Sequence, residues 1–453
     1  VCGSLLQCLK QAQGVDMDVT RRRLLKWGVL GAGAATVTGT TDLAAAASAR
    51  RTSPSIVQGA TDDKGTQFSV VHAVNSSYLY KAEDLFGNRH APAHVERLEM
   101  DGERTSISKV YFSNLDPKGS YTLTLFDSFT GEVADVREFK LLDLNKESLS
   151  FAICSCMDEF RHSPAIWQDL VAREPDVIVF AGDSTYCDYG SSGDPSPARM
   201  WRRFSEARAT LEIYFSRKLI PILATWDDHD FGLNDTGKNY PFVAESQKNF
   251  LSFFPMNPEF CSWLERGPGI SSAVRFNGQQ FLLMDDRSFR IAGFSRERYA
   301  HWGREQEEWM LEKVAGFEGL SWIVNGSQIF PQMIFKESFS GDHPTQFEAF
   351  KSALSGLEKR VGLISGDVHY SEVSRIEPAA FGYETFELTS SSIHSEKFRG
   401  LPGLSNHARR IIAAGERNYL LVDCRPNGLG GQLKVDSCSA GGVLNFSLDL
   451  EIR

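Results

Sequence analysis

Between residues 148 and 373, unbroken apolar runs alternate with amphipathic stretches, and every run stops on a polar cluster. "SLSFAICSC", "PDVIVFAGD", "IPILATWDDHD", "QQFLLMDDRSF", "LSWIVNGSQ" and "VGLISGDVHYSEV" show no polar face along their apolar cores, so each reads as a strand covered on both sides. "SPAIWQDLVARE", "ARMWRRFSEARATLEIYFSRKL", "AESQKNFLSFF", "REQEEWMLEKVAG" and "QFEAFKSALSGLEKR" read as the helices between them. Strands of this kind need a layer on each face, which confines the region to a layered α/β domain.

The flanks have another rhythm. Residues 52 to 145 alternate with period two in "TQFSVVHAV", "KVYFSNL", "SYTLTLFD" and "VREFKLLD", as in a small antiparallel sandwich. Leu115, Pro117 and Tyr121 are reminiscent of the tyrosine corner of fibronectin- or immunoglobulin-like domains. Beyond residue 380 "YETFELTS", "NYLLVDC", "GQLKVD" and "VLNFSLDLEI" read as short strands completing a sheet. The predicted organisation is an export signal over 1–49, a small β-sandwich over 50–147 and a catalytic domain over 148–453.

Arg21 to Arg23 and Lys26 precede a moderately apolar Gly/Ala-rich stretch and then "AAAASA". Thr20, Arg21, Arg22, Leu25 and Lys26 resemble the twin-arginine pattern Ser/Thr-Arg-Arg-x-Phe-Leu-Lys, with Leu24 in place of Phe. That predicts a start at Met17, cleavage near Ala49, passage through the twin-arginine machinery to the periplasm or the exterior, and no stable membrane span in the mature form. The alternative is an apolar segment retained as an anchor. Removing the signal leaves Cys154, Cys156, Cys187, Cys261, Cys424 and Cys438. Cys424 and Cys438, on consecutive strand-like segments, are candidates for a disulfide. The net charge of −10 disfavours a nucleic-acid partner.

Chemistry collects at the strand ends. In order they carry Cys154 and Cys156; Asp183 and Tyr186; Asp227, Asp228, His229 and Asp230; Asp285 to Arg287; Asn325 and Gln328; and Asp367 and His369. Sites in α/β sheets form at the carboxyl ends of the strands, so these groups converge on one rim. Crowded carboxylates repel unless cations, hydrogen bonds or solvent offset them. Carboxylate and amide oxygens suit calcium, magnesium or manganese, whereas thiolate, phenolate and imidazole suit iron or zinc. Two unlike metals match the mixed set better than one, and such a pair can clamp a phosphoryl group and activate a water.

"FAICSCM", "AGDSTYCDYG", "ATWDDHD", "LLMDDRSFR" and "ISGDVHYSEV", in this order, resemble the alkaline phosphatase D-like (PhoD-like) branch of the calcineurin-type metallophosphoesterases. The resemblance covers residues 52 to 453 and implies that branch's layered sandwich behind a small all-β domain. It also implies ferric iron held by Cys156, Asp183, Tyr186 and His369, with Asp183 bridging to calcium. Asp228 and Asp367 would bind the calcium, Gln328 or Asn325 would add an oxygen, and His229 would face the phosphate. The chain lacks the superfamily's opening Asp-x-His, carries Asp228 where the superfamily has Asn, and has Asp230 where the related form has Glu. Other roles stay open. Cys154 and Cys187 suit packing, Asp227 and Asp230 suit orienting His229 or binding calcium through water, and Asp285 and Arg287 suit an internal ion pair. The implied activity is hydrolysis of phosphate monoesters, often with diesterase or phospholipase D-like activity beside it. A reading of another class is a calcium-binding surface module without catalysis, which leaves the Cys/Tyr/His set unexplained.

Overall fold

The computed structural model describes residues 53–143, 146–190, 193, 195–333, 336–395, 403 and 406–453. The stretch read as an export signal lies outside them, and Arg50–Arg453 form one compact unit.

The first strands are β1 (Ser55–Thr61), β2 (Thr66–Ala73), β3 (Tyr78–Asp84), β4 (Arg89–His90), β5 (His94–Glu99), β6 (Thr105–Phe112), β7 (Ser120–Asp127) and β8 (Val133–Lys140). They make two antiparallel sheets, ordered β1-β2-β6-β5 and β4-β3-β7-β8. Tyr121, Leu123 and Leu125 point inward from β7 and pack with Phe68, Val70 and Phe139. The Tyr121 hydroxyl donates to the Asp116 carbonyl and accepts from the Asp116 N–H. The other face of β1 and β2 is also covered: Val57 and Val71 join the core beneath the helix Pro197–Thr210, whose Arg208 donates to Ser55 and Ser69.

Next come β9 (Leu149–Cys154), β10 (Val177–Ala181), β11 (Ile222–Thr225), β12 (Leu264–Arg266), β13 (Ser272–Phe276), β14 (Gln279–Leu283), β15 (Leu320–Val324) and β16 (Val361–Ser365). The last are β17 (Ser371–Ile376), β18 (Thr385–Ser390), β19 (Arg410–Ala414), β20 (Tyr419–Asn427), β21 (Gly430–Ser439) and β22 (Val443–Ile452). One sheet runs β11-β10-β9-β20-β21-β22 and the other β12-β13-β14-β15-β16-β18-β17-β19. Phe151, Ile153, Val177 and Val179 face inward and meet Phe281, Trp322, Val324 and Leu363 of the opposite sheet. The alternate residues Ala152, Cys154, Ile178 and Phe180 face outward against Trp167, Met200 and Phe204. Both faces are dry, which is why these strands read as continuous apolar runs rather than alternating ones.

The structure corrects three expectations about the fold. The strands after residue 380 do not complete one sheet, since β18 and β19 join the larger sheet and β20 to β22 the smaller. Cys424 and Cys438 are free. Cys424 pairs across the sheet with Leu433, five residues before Cys438, which is roughly 17 Å along the strand. The two thiols also enter opposite core layers, beyond any disulfide's span. The Arg-rich helix stops at Thr210, because Leu211 turns extended and, with Ile213 and Tyr214, drops into the core. Among the described residues no helix is long and apolar enough to cross a membrane.

Candidate metal centre

β9, β10 and β11 are parallel neighbours, as are β14, β15 and β16, so their carboxyl ends share one rim. Just past those ends the backbone bends sharply. Cys156 (φ 57°), Asp183 (φ 54°), Asp367 (φ 68°) and His369 (φ 64°) all adopt left-handed conformations. For non-glycine residues this costs about 1–3 kcal/mol each, and such strain gathers at functional sites. The glycines of the two Gly-Asp pairs permit the close approach. A Cβ on Gly182 would lie 2.6 Å from that of Asp227, and one on Gly366 would run into Ser155 and Ala181.

Three donor sets result. Ligand atoms of Cys156, Asp183 and His369 lie within 4.8 Å of one another, as do those of Asp183, Asp228 and His229, and those of Asp228, Asp235 and Glu337. Asp183 belongs to two sets and Asp228 to two, so the three form a chain. The Cys156 thiol donates to Asp183 Oδ2 at 3.3 Å and the Tyr186 hydroxyl to the same oxygen at 3.5 Å. Ser391 ties the first set together: its Oγ shares a 3.1 Å hydrogen bond with Cys156 Sγ and accepts the His369 N–H at 2.8 Å. Asp367 accepts from Lys336 Nζ at 2.8 Å through Oδ1.

The electrostatics follow from this crowding. Burial pushes the Asp183 carboxyl up to about 8, against the pull of His229 and reinforced by Asp228. Burial raises the Cys156 thiol, and Asp183 adds to the effect. Burial alone would lower His229, but Asp228 and Asp183 outweigh it and bring the imidazole to about 10. His369 goes the other way, to about 3, through burial and the neighbouring Lys336. Asp183 Oδ1 and Asp367 Oδ2 are buried without a hydrogen-bond partner. Buried carboxylate oxygens with free lone pairs, beside a thiol, a phenol and an imidazole, form a donor set suited to cations.

Several sequence candidates do other work. Asp188, in the loop after Tyr186, holds His229 Nδ1 at 2.8 Å; neither Asp227 nor Asp230 does so. Asp230 braces the strand-end loop, accepting from Ser184 at 2.6 Å and from the Thr185 N–H at 2.9 Å. Asp227 forms a fully buried ion pair with Arg287. The expected Asp285–Arg287 pair is therefore replaced: Asp285 accepts from the Trp226 indole at 2.8 Å and from backbone N–H groups, and its charge is met by dipoles. Asn325 is engaged by Trp302, Asp286 and Ser327. Gln328 donates to Glu372 and Thr389, with Oε1 buried and unpartnered. Cys154 and Cys187 are buried in the outer core. Sequence reasoning passed over Asp188, Asp235, Lys336, Glu337 and Ser391 as individual site residues. Asp188 and Asp235 occupy the acidic loops "DYGSSGDPSPARM" and "NDTGKNYPF", which carried the available signal, whereas a Lys-Glu pair in a loop carries none.

No protein-family model matches the chain. Alkaline phosphatase D of Bacillus subtilis (strain 168) is 23% identical over 356 residues, covering 68% of this chain and 58% of that protein. The chain thus matches less than two thirds of that relative's length. A solved structure of PhoD superimposes with a TM-score of 0.68 at 15% identity, covering 88% of this chain and 91% of that one. The chain is therefore similar in sequence to alkaline phosphatase D and has the fold of PhoD.

Proposed function

We propose that the chain is an exported, metal-dependent phosphoric-ester hydrolase acting on monoesters, with diesters as the alternative substrates. The observation that carries this reading is Asp183, a buried carboxylate shared by two donor sets, with Oδ1 free of protein partners. Cys156, Asp183, Tyr186 and His369 would hold ferric iron. Asp183, Asp228 and Asp367 would hold calcium, with Gln328 as a further oxygen. When bound, such a pair supplies positive charge against the phosphoryl oxygens and lowers the pKa of a water for attack on phosphorus.

The chain's own residues provide position and charge. His229, fixed through Nδ1 by Asp188 and packed against the Tyr186 ring at 4.3 Å, keeps Nε2 for a phosphoryl oxygen or the leaving group. The Asp227–Arg287 pair holds the start of the His229 segment against the end of β14. Phosphoryl transfer depends chiefly on such positioning and neutralisation, so no covalent phosphoenzyme is required. Export rests on the motif from Thr20 to Lys26.

The test is metal analysis and a visible spectrum of the exported protein, with phosphate release from a monoester and a diester measured with and without chelator. Iron and calcium, an absorption band lost in Tyr186→Phe and chelator-sensitive turnover are the expected results. A colourless, active protein holding only zinc, manganese or magnesium removes the iron assignment. Calcium bound without turnover after reconstitution overturns the hydrolase and promotes the calcium-binding module, and absence of both metal and turnover overturns both readings.

A further inference from the structure

A second concentration of charge lies elsewhere in the molecule and has the opposite sign. Lys109 on β6 extends under the carboxyl end of the helix Val243–Phe253 and donates to the Leu251 and Phe254 carbonyls at 2.8 and 3.1 Å. Arg208 donates to the Phe253 carbonyl at 2.9 Å and otherwise to Ser55 and Ser69. Arg266 donates to the Ile270 and Met256 carbonyls. Among the described residues no carboxylate forms an ion pair with any of the three.

Carbonyls satisfy the hydrogen bonds of these cations without cancelling their charge. A helix terminus contributes about half an elementary charge, too little for Lys109 and Arg208 together. Burial consequently drives Lys109 well below its usual value, with Arg208 and Arg266 pushing the same way against Glu96, and brings Arg266 to about 10. A buried cation that lacks a counter-charge is costly, and an anion relieves that cost.

Lys109 and Arg266 also line a cavity of about 440 Å³ between β2, β5, β6 and the segment after that helix. The volume is within the range of small-ligand sites. Lys248 also lines it, and Glu96 is its only described carboxylate. One wall is aromatic: Phe260 stacks on Tyr111 at 4.7 Å and lies against His94 at 5.0 Å. Its lining shares no residue with the donor sets of the metal centre.

We propose that this cavity is a non-catalytic binding site for a small organic anion, one that presents a phosphoryl, phosphonyl or carboxyl group to Lys109 and Arg266 and an apolar or aromatic body to the Phe260 wall. The test is calorimetric titration of the full chain with phenylphosphonate and, separately, benzoate, with and without chelator. Chelator-insensitive binding of at least one probe is expected, weakened at least about 10-fold in Arg266→Gln, the scale for losing a charged hydrogen-bonding partner. The exposed rim variant Lys248→Glu should weaken it in the same direction while leaving phosphate release unchanged, which covers the case in which Arg266→Gln does not fold. Preference between the probes separates a phosphoryl-type ligand from a carboxylate. No chelator-insensitive binding, binding unchanged by folded Arg266→Gln, or, where that variant does not fold, binding unchanged by Lys248→Glu, overturns the proposal. Loss of phosphatase activity bears on the metal centre alone, so the two readings fail separately.

Discussion

His229 owes its orientation to Asp188, whose carboxylate holds Nδ1 from a separate loop. Asp188→Asn is expected to lower kcat about 10- to 100-fold, the range for removing a group that orients a site histidine, with KM changing less. Steady-state kinetics on a monoester, with metal content measured alongside, check this. Asp183→Asn should act differently, because Asp183 belongs to two donor sets. Both metals should be depleted together and phosphate release should fall at least about 100-fold, as read by elemental analysis and assay. The sequence exposed Asp183 through its Gly-Asp context at a strand end. Asp188 was hidden, since a loop aspartate acquires a partner only when the chain brings one back to it.

At the scale of elements, the rim is held by buried ion pairs as well as by strands. Arg287 joins the end of β14 to Asp227 after β11, and also meets Glu337. Arg287→Met leaves Asp227 buried and unpaired and is expected to destabilise the fold by about 3–5 kcal/mol. Adding Asp227→Asn should recover part of that loss, and a double-mutant cycle by denaturant unfolding measures it. The apolar runs announced the strands carrying the site, and β7 and β22 coincide with "SYTLTLFD" and "VLNFSLDLEI". The partner of Arg287 was not legible, because Asp285 is closer in sequence but is occupied by Trp226 and backbone donors.

For the whole molecule, acid stability depends on buried neutral histidines that belong to none of the three donor sets. His343 shares a 3.0 Å hydrogen bond with His301, and burial together with Arg290 brings it to about 4. Its ordinary value is 6.5, so between pH 6.5 and 4 the unfolded chain binds the extra proton and stability falls as pH falls. Melting curves from pH 7 to pH 4 should show this loss, up to about 3 kcal/mol from His343. His343→Gln should flatten the acid limb.

The sequence by itself determined the layered α/β class, the strands buried on both faces and the row of polar strand ends, because apolar periodicity and strand-end position are local properties. Only the tertiary structure decided that Asp188 holds His229, that Asp227 pairs with Arg287, that Cys424 and Cys438 face opposite layers, and that Lys109 and Arg266 line one cavity. Each of these depends on which distant segments meet, and contacts across sheets and loops are set by packing of the whole chain rather than by neighbours along it.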